Sequence, residues 1–244
     1  MSMIPLQVVD LLSPEESQEV WSKVLALRHL WRSFGGGSEF AVGASSYLDG
    51  PTSREYFELA AKWRPLLLEK FGWLYERIQQ AVAPVLRGAA DLPVSYSDEL
   101  GLPGFVCLLD SKQRQRWAGV HVDFGVQTWM KFENQTFELD RCGTFTLPVH
   151  LPPTSCGLLV WPQITANHVY RYAKKHGIPL HEASKALARH FPFYERQVYV
   201  AGQLVIHSGQ ILHEAEAWDP PNGEGRITLQ GHAVVRSGKW ELFW

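Results

Sequence analysis

The spacing of apolar positions changes character along the chain, and each change predicts a different kind of element. A short apolar stretch over 6–12 predicts a strand or extended lead-in. Ser13-Pro14-Glu15-Glu16 follows it, a serine N-cap with proline at the first helical position and a glutamate three residues beyond the cap, which predicts a helix running to about Leu30. From Phe34-Gly35-Gly36-Gly37-Ser38 to Gly50-Pro51 small and polar residues predominate, and this composition specifies a flexible loop. Over 52–86 the apolar positions Leu67, Phe71, Leu74, Ile78 and Val82 recur at three and four residues, a helical period with a break expected near Pro65.

Beyond Pro93 the texture shifts to short runs rich in β-branched and aromatic residues at 94–96, 104–109, 117–122, 144–151, 157–161, 197–200, 203–207, 225–235 and 239–243, predicting strands of a sandwich or barrel. In 144–151, Phe145, Leu147, Val149 and Leu151 alternate with more polar neighbours, so one face of that strand enters a core and the other meets something wetter. Two helical stretches, 166–175 and 180–191, interrupt the β region on either side of Gly177-Ile178-Pro179. The expected organisation is one domain over 1–244, with a helical support region at 1–92 and a β body at 93–244 that carries a helical insertion at 163–192.

The composition narrows the classes of function. With 244 residues, 45% hydrophobic and 20% charged, the chain has the profile of a folded protein, which excludes disordered and fibrous classes. A formal net charge of -2 provides no global positive field to gather nucleic acid or an anionic membrane. Three cysteines without a C-x-x-C pair argue against a disulfide framework or a structural zinc site and fit a reducing cytoplasm. The first residues reach Asp10 and a glutamate pair before any apolar run of signal-peptide length, and no stretch approaches a membrane span, so the protein is expected to stay where it is made.

The candidate chemistry lies in His121-Val122-Asp123, His213 and Arg226-Ile227-Thr228. Residues two apart in an extended segment point to the same side, so His121 and Asp123 can aim at one point, which His213 joins only through the fold. Two neutral imidazoles and a carboxylate on one face of a metal leave the opposite positions open, the arrangement associated with non-haem iron(II) oxygenases. H-x-D is uninformative by itself in a chain with ten histidines; the order H-x-D, then Gly202-Gln-Leu-Val-Ile-His207, then His213, then an arginine opening a β-rich run is far more specific. His207 is the competing candidate for the distal ligand, and His213 is preferred because it stands closer to Arg226. A planar guanidinium grips a carboxylate through two hydrogen bonds, best at the bottom of a pocket, and Thr228 would add a hydroxyl on the same face of the strand.

At these residues the sequence resembles the Fe(II)- and 2-oxoglutarate-dependent dioxygenases. The resemblance covers roughly 104–235, through Gly119-Val-His121-Val-Asp123, Leu147-Pro-Val-His-Leu-Pro-Pro153, Cys156-Gly-Leu-Leu-Val-Trp-Pro162, the Gly202 segment, His213 and Arg226-Ile-Thr228. It implies a mainly β fold with α elements: a double-stranded β-helix, a jelly-roll or cupin-like core, with N-terminal supporting helices and a helical insertion. It further implies that His121, Asp123 and His213 hold Fe(II), that Arg226 pairs with the far carboxylate of 2-oxoglutarate, and that Thr228 matches the hydroxyl of the family's R-x-S motif. The family's reaction consumes dioxygen and 2-oxoglutarate, releases succinate and carbon dioxide, and is often stimulated by ascorbate. A carboxylate at Asp123 favours hydroxylation, desaturation or cyclisation over halogenation, which needs a small residue there.

Nucleic-acid demethylases of this superfamily carry a second arginine where this chain has His232, which with the net charge argues against a nucleic-acid substrate. The resemblance points instead to a free amino acid or natural-product intermediate, handled by a monomer or homodimer without membrane association. A protein side-chain hydroxylase, a 2-oxoglutarate-independent cupin and a non-catalytic jelly roll stay open as alternatives. Tyr47, Trp129, Phe132 and the 166–191 helices are candidates for covering the iron mouth, with Tyr47 and Trp129 as substrate contacts. Cys107 and Cys156 are expected near the core, where turnover without substrate would oxidise them.

Overall fold

A computed structural model describes residues 4–34, 39–46, 48–49, 54–109, 119–123, 137–152, 156–216 and 225–244. The capping box forms as the sequence requires: Ser13 Oγ accepts from the Glu16 amide at 3.2 Å, and Glu16 Oε2 accepts from the Ser13 amide at 2.9 Å. It opens α1 (Pro14–Ala26), which a single 3₁₀ turn (Arg28–Leu30) extends. Before it, β1 (Gln7–Asp10) pairs antiparallel with β9 (Gln203–Ser208).

Part of the stretch read as a loop, from Glu39 to Val42, is a strand. β2 (Arg32–Phe34) and β3 (Glu39–Val42) pair with each other, and β3 pairs with β5 (Gly104–Leu108). These strands are three and four residues long, and it is the neighbouring β5 edge that makes them strands.

The helix does not break at Pro65. α2 runs without interruption through Arg54–Ala89 and contains both Pro65 and Pro84. Both prolines lie on the exposed face, as does Ala61, whose carbonyl loses its amide partner to Pro65 and can turn to water. The opposite face, with Trp63, Leu67, Phe71, Leu74, Ile78 and Val82 buried against the sheet, holds the helix together. Each such side chain contributes about 1.5–3 kcal/mol on burial, enough to offset the lost bond.

The remaining elements are β4 (Val94–Tyr96), β6 (Phe137–His150), β7 (Gly157–Thr165), α3 (Ala166–His176), α4 (Leu180–His190), β8 (Glu195–Val198), β10 (Ile211–Ala215), β11 (Arg226–Arg236) and β12 (Lys239–Phe243). The larger sheet runs β1-β9-β6-β11-β5-β3-β2, with β12 pairing β11 and β4; the smaller runs β10-β7-β8. The two sheets face each other as a jelly roll, the double-stranded β-helix the sequence led us to expect, with α1 and α2 packed outside the larger sheet.

Alternation assigns each strand's side chains to one of two environments. On β6, Phe145, Leu147 and Val149 enter the helical core, whereas Thr144 and Thr146 face the space between the sheets. On β11, Ile227, Leu229 and Ala233 face α2, and Arg226, Gln230 and His232 face inward. The insertion does not line that space. α3 ends at Gly177, which adopts φ +64°, and Val169, Ala173, Ala183 and Leu187 pack with Val120, Val122, Trp161 and Leu212. The two helices thus buttress the His121–Asp123 segment from behind. No helix among the described residues is long and apolar enough to cross a membrane.

Candidate metal centre and cavity

The space between the sheets is a cavity of about 390 Å³, walled largely by Val106, Leu108, Val122, Leu158 and Tyr199. At one end the ligand atoms of His121, Asp123 and His213 all lie within 4.8 Å of one another, close enough for a single metal ion to bridge them. Asp123 Oδ1 is 3.8 Å from Nε2 of His121 and 3.8 Å from Nε2 of His213. Each ring is aimed by its other nitrogen: Nδ1–H of His121 donates to the Gly119 carbonyl (2.6 Å) and Nδ1–H of His213 to the Ile211 carbonyl (2.8 Å). That tautomer leaves both Nε2 lone pairs for a metal.

The two histidine segments are joined by backbone. The His121 amide donates to the His213 carbonyl and the His213 amide to that of His121, both at 2.8 Å. The turn between β9 and β10 completes the frame, since the Asp123 amide donates to Gly209 O at 2.9 Å and the Gly209 amide to Cys142 O at 3.0 Å. Gly209 is required for its missing side chain: a Cβ there would lie 2.6 Å from Asp123 Oδ2 and 2.8 Å from the Cys142 sulfur. Gly209→Ala is therefore expected to displace the carboxylate and weaken divalent-metal binding by about 10- to 100-fold in a nickel titration, with the far-ultraviolet spectrum unchanged.

Register brings further residues to the centre. Thr144 on β6 is paired with His207 on β9 and with His232 on β11, so three adjacent strands present polar side chains in one row. Thr144 Oγ1 donates a short hydrogen bond to Asp123 Oδ2 and lies 3.3 Å from His232 Nδ1. Burial would raise the Asp123 carboxyl, but the imidazoles of His213, His232 and His121 and the Thr144 hydroxyl outweigh it and hold the group well below the usual carboxylate range. Burial pushes the imidazoles the other way, His213 down to about 3, with His207 and His232 also lowered against the pull of Asp123. Three imidazoles are thus kept neutral in the fold while the unfolded chain protonates them near pH 6.5, so the unfolded state binds more protons. Stability of the metal-free protein should fall as pH drops below about 6.5, by up to about 4 kcal/mol per pH unit, read from urea midpoints at constant slope.

At the other end of the cavity Arg226 is 2% exposed, with its guanidinium carbon 6.0 Å from the centre of the Tyr199 ring. Thr228 is buried on the same strand face, where its hydroxyl accepts from the Gln230 amide nitrogen at 3.2 Å. The structure thus assembles His121, Asp123 and His213 at one point and puts Arg226 in the same cavity. His207 is buried with its ring 4.6 Å from that of His213, outside the cluster of three. His150 stacks on Trp21, with ring centres 4.4 Å apart. Tyr47, Trp129 and Phe132 lie outside the described residues.

Sequence reasoning missed Glu39, Thr144, Gly209 and His232 at this site. Cys142, rather than Cys107 or Cys156, is the cysteine beside Asp123, and burial together with that carboxylate raises its thiol. The alternation in 144–151 was a signal that could have pointed to Thr144; none marked the others.

No family model matches the sequence, and no curated protein matches it. Among solved structures the chain is similar to an N-substituted L-amino acid dioxygenase from Burkholderia ambifaria AMMD, at 16% identity and TM-score 0.53 over 98% of this chain and 86% of that one. It is also similar to such a dioxygenase from the same organism in complex with alpha-KG (14%, TM-score 0.54, 98% and 86%). A third is the non-heme alpha ketoglutarate dependent epimerase SnoN from nogalamycin biosynthesis (16%, TM-score 0.51, 96% and 81%). The fold of this chain is the fold of these oxygenases.

Proposed function

We propose that this chain, built on the fold of the non-haem 2-oxoglutarate-dependent oxygenases, is itself such an enzyme and hydroxylates an unactivated C–H bond of a free amino acid or natural-product intermediate. The observation that carries this reading is the pairing, in one cavity, of a His-Asp-His set with a buried guanidinium.

Nε2 of His121, Nε2 of His213 and Oδ1 of Asp123 would hold iron(II) on one side, leaving its other side facing the cavity. Two ring nitrogens tied to carbonyls and a carboxylate held ionised are a donor set whose chemistry suits this ion. Bound iron with 2-oxoglutarate and dioxygen supplies the oxidising power for C–H cleavage, with release of succinate and carbon dioxide. The protein's part is placement. Thr144 turns Oδ2 of Asp123 away from the metal position and leaves Oδ1 to it. Arg226 would receive the distal carboxylate of 2-oxoglutarate with Thr228 beside it, in surroundings where water competes little for the pair. Leu108, Val106, Leu158 and Tyr199 exclude water from the path between anchor and metal.

The test is succinate formation from 2-oxoglutarate in air with iron(II) and ascorbate, while free amino acids, amines and peptides are screened as stimulators. Iron-dependent succinate release stimulated by one compound class supports the reading and points to the substrate. A protein that takes up metal yet releases no succinate with any of them sinks it.

A further inference from the structure

The formal net charge of -2 is an average over two unequal parts. The stretch 166–190, which folds into α3 and α4, holds Arg171, Lys174, Lys175, Lys185 and Arg189 against a single acid, Glu182. With histidine neutral it carries a net +4, so the rest of the chain together carries -6. All five cations are exposed, and none of them has an ion pair or hydrogen bond among the described residues. Glu182 sits 4.0 Å from His181 instead.

The fold gathers these charges on one side of the molecule. α3 buries Ala166, Val169 and Ala173, and α4 buries Ala183, Ser184 and Leu187. At about 3.6 residues per turn, Arg171, Lys174 and Lys175 lie opposite the buried stripe of α3, and Lys185 and Arg189, four residues apart, lie opposite that of α4. Both buried stripes pack against Val120, Val122, Trp161 and Leu212, so both exposed faces look outward together, along helices about 16 Å long.

A loop of exposed aromatic residues stands at one end of this platform. Phe191 follows α4 directly, and Phe193 and Tyr194 come next, at 41%, 84% and 51% exposure. The Trp161 indole N–H donates to the Phe191 carbonyl at 2.9 Å and the Gln163 amide nitrogen to the Phe193 carbonyl at 2.8 Å, which ties the loop to the strand that leads into α3. Tyr170, on α3 itself, is 57% exposed.

We propose that this surface docks on an anionic lipid bilayer, with the lysines and arginines over the headgroups and the aromatic loop at headgroup depth. The assignment is independent of the oxygenase reading. Clusters of this size recognise acidic lipid surfaces, each cation contributing about fivefold in affinity. Other occupants fit less well. Protein interfaces are depleted of lysine, and three of the five cations are lysines, whose compact charge on a flexible stem suits mobile headgroups. Aromatic side chains settle at the boundary between headgroups and acyl chains, whereas a nucleic-acid duplex offers them no apolar cover. Because the inner side of the same two helices packs on Val120 and Val122, a docked membrane would lie one helical layer from the His121–Asp123 segment.

The test is flotation with vesicles of phosphatidylcholine alone and of phosphatidylcholine with about 30% phosphatidylserine, at about 0.1 M salt. The wild type should bind the anionic vesicles about tenfold or more tighter than the neutral ones and leave them at about 1 M salt. Lys174→Gln combined with Lys175→Gln should weaken that binding by about 10- to 30-fold, and Phe193→Ser severalfold with the salt dependence unchanged. Lys62→Gln combined with Arg87→Gln removes the same charge from exposed positions on α2, outside the larger sheet, and should leave binding as it is.

Equal binding to both kinds of vesicle, no binding to the anionic ones up to about 1 mM lipid, or an equal loss in the α2 variant would each overturn the assignment. So would tighter binding, through Lys174 and Lys175, to a single-stranded DNA of about 20 nucleotides or to poly-L-glutamate than to the anionic vesicles. The first of those results would give the surface to a nucleic acid and the second to an acidic protein.

Discussion

His213→Ala is expected to abolish release of succinate from 2-oxoglutarate, by about 10³-fold or more, because on the proposed reading it removes one of three metal ligands. The fold should survive. What joins His213 to His121 is a pair of backbone hydrogen bonds, and what holds β10 on β7 is its backbone ladder, neither of which needs the imidazole. The metal-free variant should thus unfold close to where the metal-free wild type does, while its nickel affinity falls by about 100-fold or more. Retained succinate release with the fold intact would remove His213 from the metal site and bring its buried neighbour His207 back as the ligand.

Arg226→Ala should produce the complementary result, with metal binding kept and 2-oxoglutarate weakened by about 10²- to 10³-fold. That corresponds to the 3–4 kcal/mol of a charge pair whose geometry is bidentate and whose surroundings are dry. Arg226→Lys should fall between the two, because a lysine restores the charge and not the fork. Competition binding on nickel-loaded protein reads all three affinities. An unchanged 2-oxoglutarate affinity in Arg226→Ala would place the anchor elsewhere and turn the assignment toward a cupin that works without this cosubstrate.

What was legible in the sequence followed a local rule. The Ser13 capping box, the alternation over 144–151 and the helical turns of the insertion each depend on neighbours within a few residues, and each is found where it was expected; the H-x-D pair is as local, and its two side chains lie together. What was not legible depends on which strand lies beside which. Thr144 meets Asp123 and His232 because β6 sits between β9 and β11, and Glu39 enters the row of Arg226 because β3 joins the far edge of β5. The same logic accounts for β3, read as loop, in a stretch whose composition favours turns until β5 offers an edge to pair with. α2 differs again: its prolines do break local hydrogen bonding, but their solvent-facing positions let the buried face outvote them.

The reciprocal hydrogen bonds between His121 and His213 also bear on which metal fills the centre. Because main chain staples the ligand segments together, an ion enters a site that the fold has already gathered, and no folding step depends on its identity. A rigid set of two imidazoles and a carboxylate follows the general affinity order of divalent metals, in which nickel, copper and zinc all outrank iron. Such a socket has no means of rejecting the wrong guest. Occupancy by iron would then be decided by the supply of metals around the protein, and mismetallation by zinc would be its characteristic mode of failure.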